Sequence, residues 1–237
     1  MALYAMSDLH LSLSAEKPMD IFGSAWHNYM EKIDANWRSL ITDDDLVIVG
    51  GDISWAMYIE EANKDFEFLN LLPGKKLLVR GNHDYWWTSY SKLRQYVASN
   101  GFDTISFLQN DSFVYENTVI SGTRGWLIPS SESFGSKDSG IYERELIRLE
   151  LSLKSAVSNS DEGMRRIAVL HYPPISSEGV PDEKISELLR RYGVTKCVYG
   201  HLHGYACSES FSGLADGIEY ALVSADHLQF NPYNLDS

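Results

Sequence analysis

Five short apolar runs, each stopping at glycine or a polar residue, constrain this chain more than any other feature. Leu3 to Met6 stops at Ser7-Asp8, Leu46 to Val49 at Gly50-Gly51-Asp52, and Leu77 to Val79 at Arg80-Gly81-Asn82-His83-Asp84. Ile167 to Leu170 stops at His171, and Lys196 to Tyr199 at Gly200-His201. Such runs are too short for buried helices, so each predicts a strand ending in a polar tip. Between them, Ala25 to Leu40, Glu60 to Leu71, Ser89 to Ala98, Tyr142 to Ser155 and Asp182 to Tyr192 carry apolar residues at helical spacing. Strands alternating with helices predict an α/β fold. In open sheets of that kind a ligand binds beyond the carboxyl ends of the strands, where these polar tips fall.

The middle of the chain breaks the alternation. Thr104 to Leu108, Ser112 to Tyr115 and Thr118 to Ser121 read as consecutive strands, and Tyr205 to Ser210 with Ile218 to Ser224 as a further pair. These hairpins predict a second sheet or an extension of the first. The serine- and glycine-rich stretch from Pro129 to Gly140 reads as a surface loop rather than a linker, so residues 1–237 are expected to form one layered domain.

Hydrophobic residues make up 44% and charged residues 22%, which allows a sizeable core. The net charge of −13 repels polyanions, so long nucleic acids are disfavoured partners. No apolar run is long enough for membrane insertion, and no secretory leader is evident at the N-terminus. Cys197 and Cys207 do not resemble a disulfide framework. A cytoplasmic location is expected, and cleavage of a leader would remove part of a site that begins at Asp8.

The strand tips supply Asp8, His10, Asp52, Asn82, His83, Asp84, His171, His201 and His203; of all the histidines only His27 and His227 lie elsewhere. Mixed oxygen and imidazole donors suit manganese, iron or zinc rather than calcium. The seven donors Asp8, His10, Asp52, Asn82, His171, His201 and His203 exceed what one tetrahedral ion takes, which points to two ions sharing a carboxylate.

This ordered set, D-x-H, G-D, G-N-H-D, a lone H and G-H-x-H, resembles the calcineurin-like metallophosphoesterase superfamily from Asp8 to His203. The resemblance implies a four-layer αββα sandwich with two central mixed β-sheets flanked by helices. It implies that Asp8, His10 and His203 hold one transition-metal ion, that Asn82, His171 and His201 hold the other, and that Asp52 bridges them. It further implies that His83 faces the departing oxygen of a phosphate ester, oriented by Asp84. The expected substrate is a small phosphorylated molecule or a nucleotide, cleaved as a monoester or diester. Hydrolysis of a nucleotide or lipid pyrophosphate, and a metal-free interaction scaffold, are the alternatives.

Three further residues have two readings each. Trp86 and Trp87, next to Tyr85 and Tyr90, either pack in the core or wall a substrate pocket. Arg124, between flexible residues after a strand, either clamps a substrate phosphate or forms a salt bridge.

Overall fold

The computed structural model describes every residue except Glu16, Pro18 and Ser237. The chain forms two compact units, one from Met1–Phe107 with Val223–Ser237 and one from Leu108–Leu222. Each has its own sheet.

In the first unit β1 (Leu3–Met6), β2 (Leu46–Val49), β3 (Lys75–Leu78) and β4 (Ile105–Phe107) run parallel, in that spatial order. The two-residue strand β11 (Tyr233–Asn234) pairs antiparallel with the outer edge of β1. All four residues of β2 are buried, as a central strand covered on both faces requires. The helices α1 (Tyr29–Leu40), α2 (Asn63–Leu71) and α3 (Tyr90–Asn100) pack on this sheet through apolar stripes. In α1 the stripe is Tyr29, Ile33 and Trp37, spaced by four residues so that all lie on one face. Burial of each such side chain stabilises the fold by about 1.5–3 kcal/mol.

In the second unit β6 (Thr118–Thr123), β7 (Arg165–Leu170), β8 (Lys196–Tyr199) and β10 (Ile218–Leu222) are parallel. The edges are antiparallel: β5 (Ser112–Tyr115) pairs with β6, and β9 (Gly213–Ala215) with β10. Backbone closeness fixes Gly122 in β6, because a Cβ there would lie 2.1 Å from the Val169 carbonyl oxygen. Helices α4 (Ser139–Ser158) and α5 (Glu183–Arg191) contribute Leu149, Leu153, Ile185 and Leu189 to this unit's core. The Asp182 carboxylate accepts the Ile185 N–H and caps α5, whose last turn carries Arg190 and Arg191. Two mixed sheets with flanking helices are the expected α/β architecture, with the layer content of a four-layer sandwich.

One expected strand is absent. Tyr205 to Glu209 lies in a 3-10 helix, Gly204–Glu209, with Ser210 as its C-cap. The Ser208 and Ser210 hydroxyls donate to the carbonyls of Tyr205 and Cys207, satisfying locally what a ladder would otherwise take up. The outer partner of β10 is β9 instead, joined through Asp216 and Gly217, both with positive φ, the conformation a tight hairpin needs. The stretch from Pro129 to Gly140 is tied down in part, since the Asp138 carboxylate accepts the Gly135 N–H and the Trp126 indole N–H. No helix among the described residues is long and apolar enough to cross a membrane.

Candidate metal centre

Parallel register brings the first unit's polar tips to one end of its sheet. Met6 pairs with Val49 and Val49 with Leu78, so Asp8, Asp52 and Asn82 follow within a few residues of aligned strand ends. The ladder continues past the strands: Asp8 N donates to the Gly51 carbonyl and His10 N to that of Asp52, at 2.8 and 2.9 Å. Asp8, His10 and Asp52 all adopt left-handed backbone, with φ of 61°, 46° and 50°. Each such residue costs about 1–3 kcal/mol, and the surrounding structure must enforce it.

Buried carboxylates supply that enforcement. Asp84, fully buried, accepts the N–H groups of Ile53, Ser54 and Gly81 and the Trp86 indole N–H. It thereby fastens the tip after β2 to the tip after β3. Burial pushes the Asp84 carboxyl up to about 6, against the pull of those backbone N–H groups. Asp65, on α2, accepts the Ser54 hydroxyl and the Leu13 N–H, joining the tips after β1 and β2. Burial raises its pKa as well, opposed by the same hydrogen bonds. At Gly81 no side chain fits, since a Cβ would lie 2.1 Å from the Asp52 nitrogen and Oδ1.

Asp8 and Asp52 are 0% and 2% exposed. The Ser7 and Ser224 hydroxyls both donate to Oδ2 of Asp8, which orients its carboxylate. Asp52 Oδ1 accepts the His83 N–H at 2.7 Å, while Oδ2 lies 3.8 Å from His10 Nε2 and 4.0 Å from His83 Nε2. Ligand atoms of Asp8 come within 4.8 Å of those of His10 and of Asp52. Two buried carboxylates beside an imidazole need a cation to offset their desolvation, and mixed O and N donors match a divalent transition metal. The residues present fit the implied ion. His83 differs from its neighbours in that its side chain is 36% exposed. Asn82 is half-buried in the same tip.

The second unit repeats the arrangement with histidines alone. Leu170 pairs with Tyr199, so His171 and His201 follow aligned ends of β7 and β8. His171 is fully buried, its N–H donating to the Arg124 carbonyl and its own carbonyl accepting the Gly200 N–H. The His171 and His201 rings are 5.2 Å apart at 74°, and Tyr172 lies 4.1 Å from the His201 ring. His201 is left-handed at φ 74°, and His203 is half-buried at the start of the 3-10 helix.

The structure bears on three of these expectations. Trp86 and Trp87 are 2% and 8% exposed and pack with Phe66 and Phe107, so they are core residues and not substrate contacts. Apolar burial won for the two indoles; of the aromatic group, Tyr85 and Tyr90 are the exposed members. Asp84 holds the tip backbone and Trp86 rather than the His83 ring, since desolvation commits its oxygens to nearby N–H groups. Arg124 is engaged in a salt bridge to buried Glu145 at 3.1 Å, with its guanidinium 4.6 Å from the Trp126 ring centroid. Sequence reasoning missed Asp65 and Trp55. The Trp55 ring stacks on His10 at 4.8 Å, and its only sequence signal is its place three residues after Asp52.

The profile of the calcineurin-like phosphoesterases matches residues 1–205, and the chain belongs to that family of metal-dependent phosphohydrolases. Its fold is similar to that of a protein of unknown function from Aquifex aeolicus, at 18% identity and TM-score 0.53, over 98% of this chain and 95% of the other. It is also similar to the phosphopantetheinyl hydrolase of Mycobacterium tuberculosis, at 17% identity and TM-score 0.54, over 94% and 88% of the two chains. No curated protein matches at a significant level.

Proposed function

We propose that this chain hydrolyses a phosphate monoester or diester of a small molecule or nucleotide at a dinuclear centre. Asp8, His10 and His203 would hold one ion, Asn82, His171 and His201 the other, with Asp52 holding both. The observation that carries this reading is the convergence of buried Asp8 and Asp52 with His10 and His83 at one sheet end, on backbone held left-handed at three of the four. The match of the calcineurin-like phosphoesterase family to residues 1–205 supports this reading.

Two manganese, iron or zinc ions, when bound, supply activation of a water and neutralisation of the phosphoryl oxygens. The chain's own residues do the rest. Ser7 and Ser224 hold the Asp8 carboxylate in orientation. Asp84 and Asp65 act as positioning residues that keep the Asp52 tip in its strained form. His83 donates a proton to the departing oxygen, which suits an imidazole that is 36% exposed where that of His10 is buried. Net charge −13 favours small substrates over polyanions. Cys197 and Cys207, which form no disulfide, fit a reducing cytoplasm.

A panel of phosphomonoesters, phosphodiesters, cyclic nucleotides, pyrophosphates and a phosphopantetheinyl ester, assayed with manganese, tests the reading. Hydrolysis of one ester class is expected, with bound metal by elemental analysis. A folded protein that takes up no metal and cleaves nothing in the panel refutes it.

A further inference from the structure

Trp55 lies where the tips after β1 and β2 meet, and its indole joins two imidazoles. Its ring is 4.8 Å from His10 at 21°, a parallel stack, and 4.6 Å from His83 at 50°. Those two imidazoles lie 5.8 Å from each other. The indole is itself pinned: its backbone N–H donates to the Leu11 carbonyl at 3.0 Å, its ring N–H to Met19 Sδ at 3.2 Å, and Lys17 Nζ sits 4.1 Å from the ring centroid. On another side of His10 stands buried Trp26, edge-on at 5.9 Å, and the Tyr29 hydroxyl donates to the His10 carbonyl.

We propose that Trp55 is a positioning residue of the centre, its flat face fixing the His10 and His83 rings at the angles that metal binding and proton donation require. An imidazole turns about two soft torsions, and a broad parallel neighbour removes the freedom about the outer one. The π face also favours the partial positive charge that an imidazole takes on beside a cation. Asp52 lies 3.8 and 4.0 Å from the Nε2 atoms of His10 and His83, so rotation of either ring would alter the donor set that this carboxylate completes. The role rests on the proposed hydrolytic reading, but the ring contacts do not.

Comparing Trp55→Leu with Trp55→Phe isolates the flat face, because leucine fills apolar volume without it and phenylalanine keeps it. Thermal unfolding first establishes that both variants fold. In the metal-free protein, imidazole resonances of His10 and His83 should lose their ring-current shifts in Trp55→Leu and keep most of them in Trp55→Phe. Manganese affinity by calorimetry should fall about 10- to 100-fold in Trp55→Leu, the range for outer-shell partners of a metal ligand. kcat should fall by a similar factor with KM changed less than about twofold, and Trp55→Phe should recover most of each. Equal manganese affinity and equal kcat in the two variants would overturn the proposal, as would unchanged imidazole resonances. Native protein that neither binds manganese nor hydrolyses esters refutes the hydrolytic reading instead, and the resonances still decide the contact.

Discussion

The two units present histidines from the same kind of strand tip, yet they hold them differently. In the first, Asp8, His10 and Asp52 sit on left-handed backbone enforced by the buried acceptors Asp84 and Asp65. In the second, of His171, His201 and His203 only His201 is left-handed, and His171 is held by ordinary hydrogen bonds to Arg124 and Gly200. Aromatic support is shared: Trp55 stacks on His10, and Tyr172 lies 4.1 Å from His201. The contrast teaches that left-handed backbone serves imidazoles (His10, His201) as well as carboxylates (Asp8, Asp52), but that the tip carrying the carboxylates is the one braced by further buried acceptors. A neutral ring tolerates burial once its N–H has a partner, whereas a buried anion needs fixed donors and, in this reading, a cation.

The largest expected effect tests that asymmetry at its centre. Asp52→Asn should lower ester hydrolysis and manganese affinity by more than about 100-fold, exceeding the loss caused by an outer-shell change. His201→Ala in the second unit should cost less manganese affinity, measured by calorimetry on both proteins. An equal loss would break the contrast between anionic and neutral tips.

Next in size is His83→Ala, which separates catalysis from metal binding within the first unit. kcat should drop by about 100- to 10,000-fold, the usual span for a general acid. Manganese content should stay near native, because His83 is outside the proposed ligand set. Elemental analysis beside steady-state kinetics distinguishes the two effects.

A smaller effect probes the scaffold. Gly81→Ala puts a methyl group 2.1 Å from Asp52 Oδ1, and this overpacking should destabilise the protein by about 1–3 kcal/mol in urea unfolding. Manganese affinity should weaken with it, since the Asp52 tip must move. Unchanged stability and affinity would mean that the strained tip is not enforced as described.

The smallest effect lies at the other end of β3, away from the polar tips. Lys76 is buried, with Nζ donating to the carbonyls of Leu72 and Gly74. Burial depresses its pKa from 10.5 to about 8. Between those values the unfolded chain holds a proton that the folded chain has released, so this group makes stability rise with pH from about 8 to 10.5. Urea unfolding of Lys76→Met across that window should lack this rise. It would also show that a buried charge far from the polar tips affects stability without affecting hydrolysis.

Much of the molecule is legible in the sequence by itself. The limits of β1, β2, β5 and β8 coincide with the runs read from the sequence; for β1, β2 and β8 the reason is that a short buried strand leaves little room for polar residues. The order of polar tips sufficed for the family resemblance, since donor atoms and glycines at strand ends are local features. The tertiary structure decided what depends on neighbours distant in sequence. It sent Trp86 and Trp87 to the core, turned Asp84 toward backbone N–H groups, and folded Tyr205 to Glu209 into a 3-10 helix. It also brought Asp65 and Trp55 to the site, although the one local mark of Trp55 is its place three residues after Asp52 and the segment of Asp65 carries none. A residue's chemistry is written in the chain. Whether that chemistry is spent on packing, on holding a loop or on a ligand depends on which groups burial places beside it.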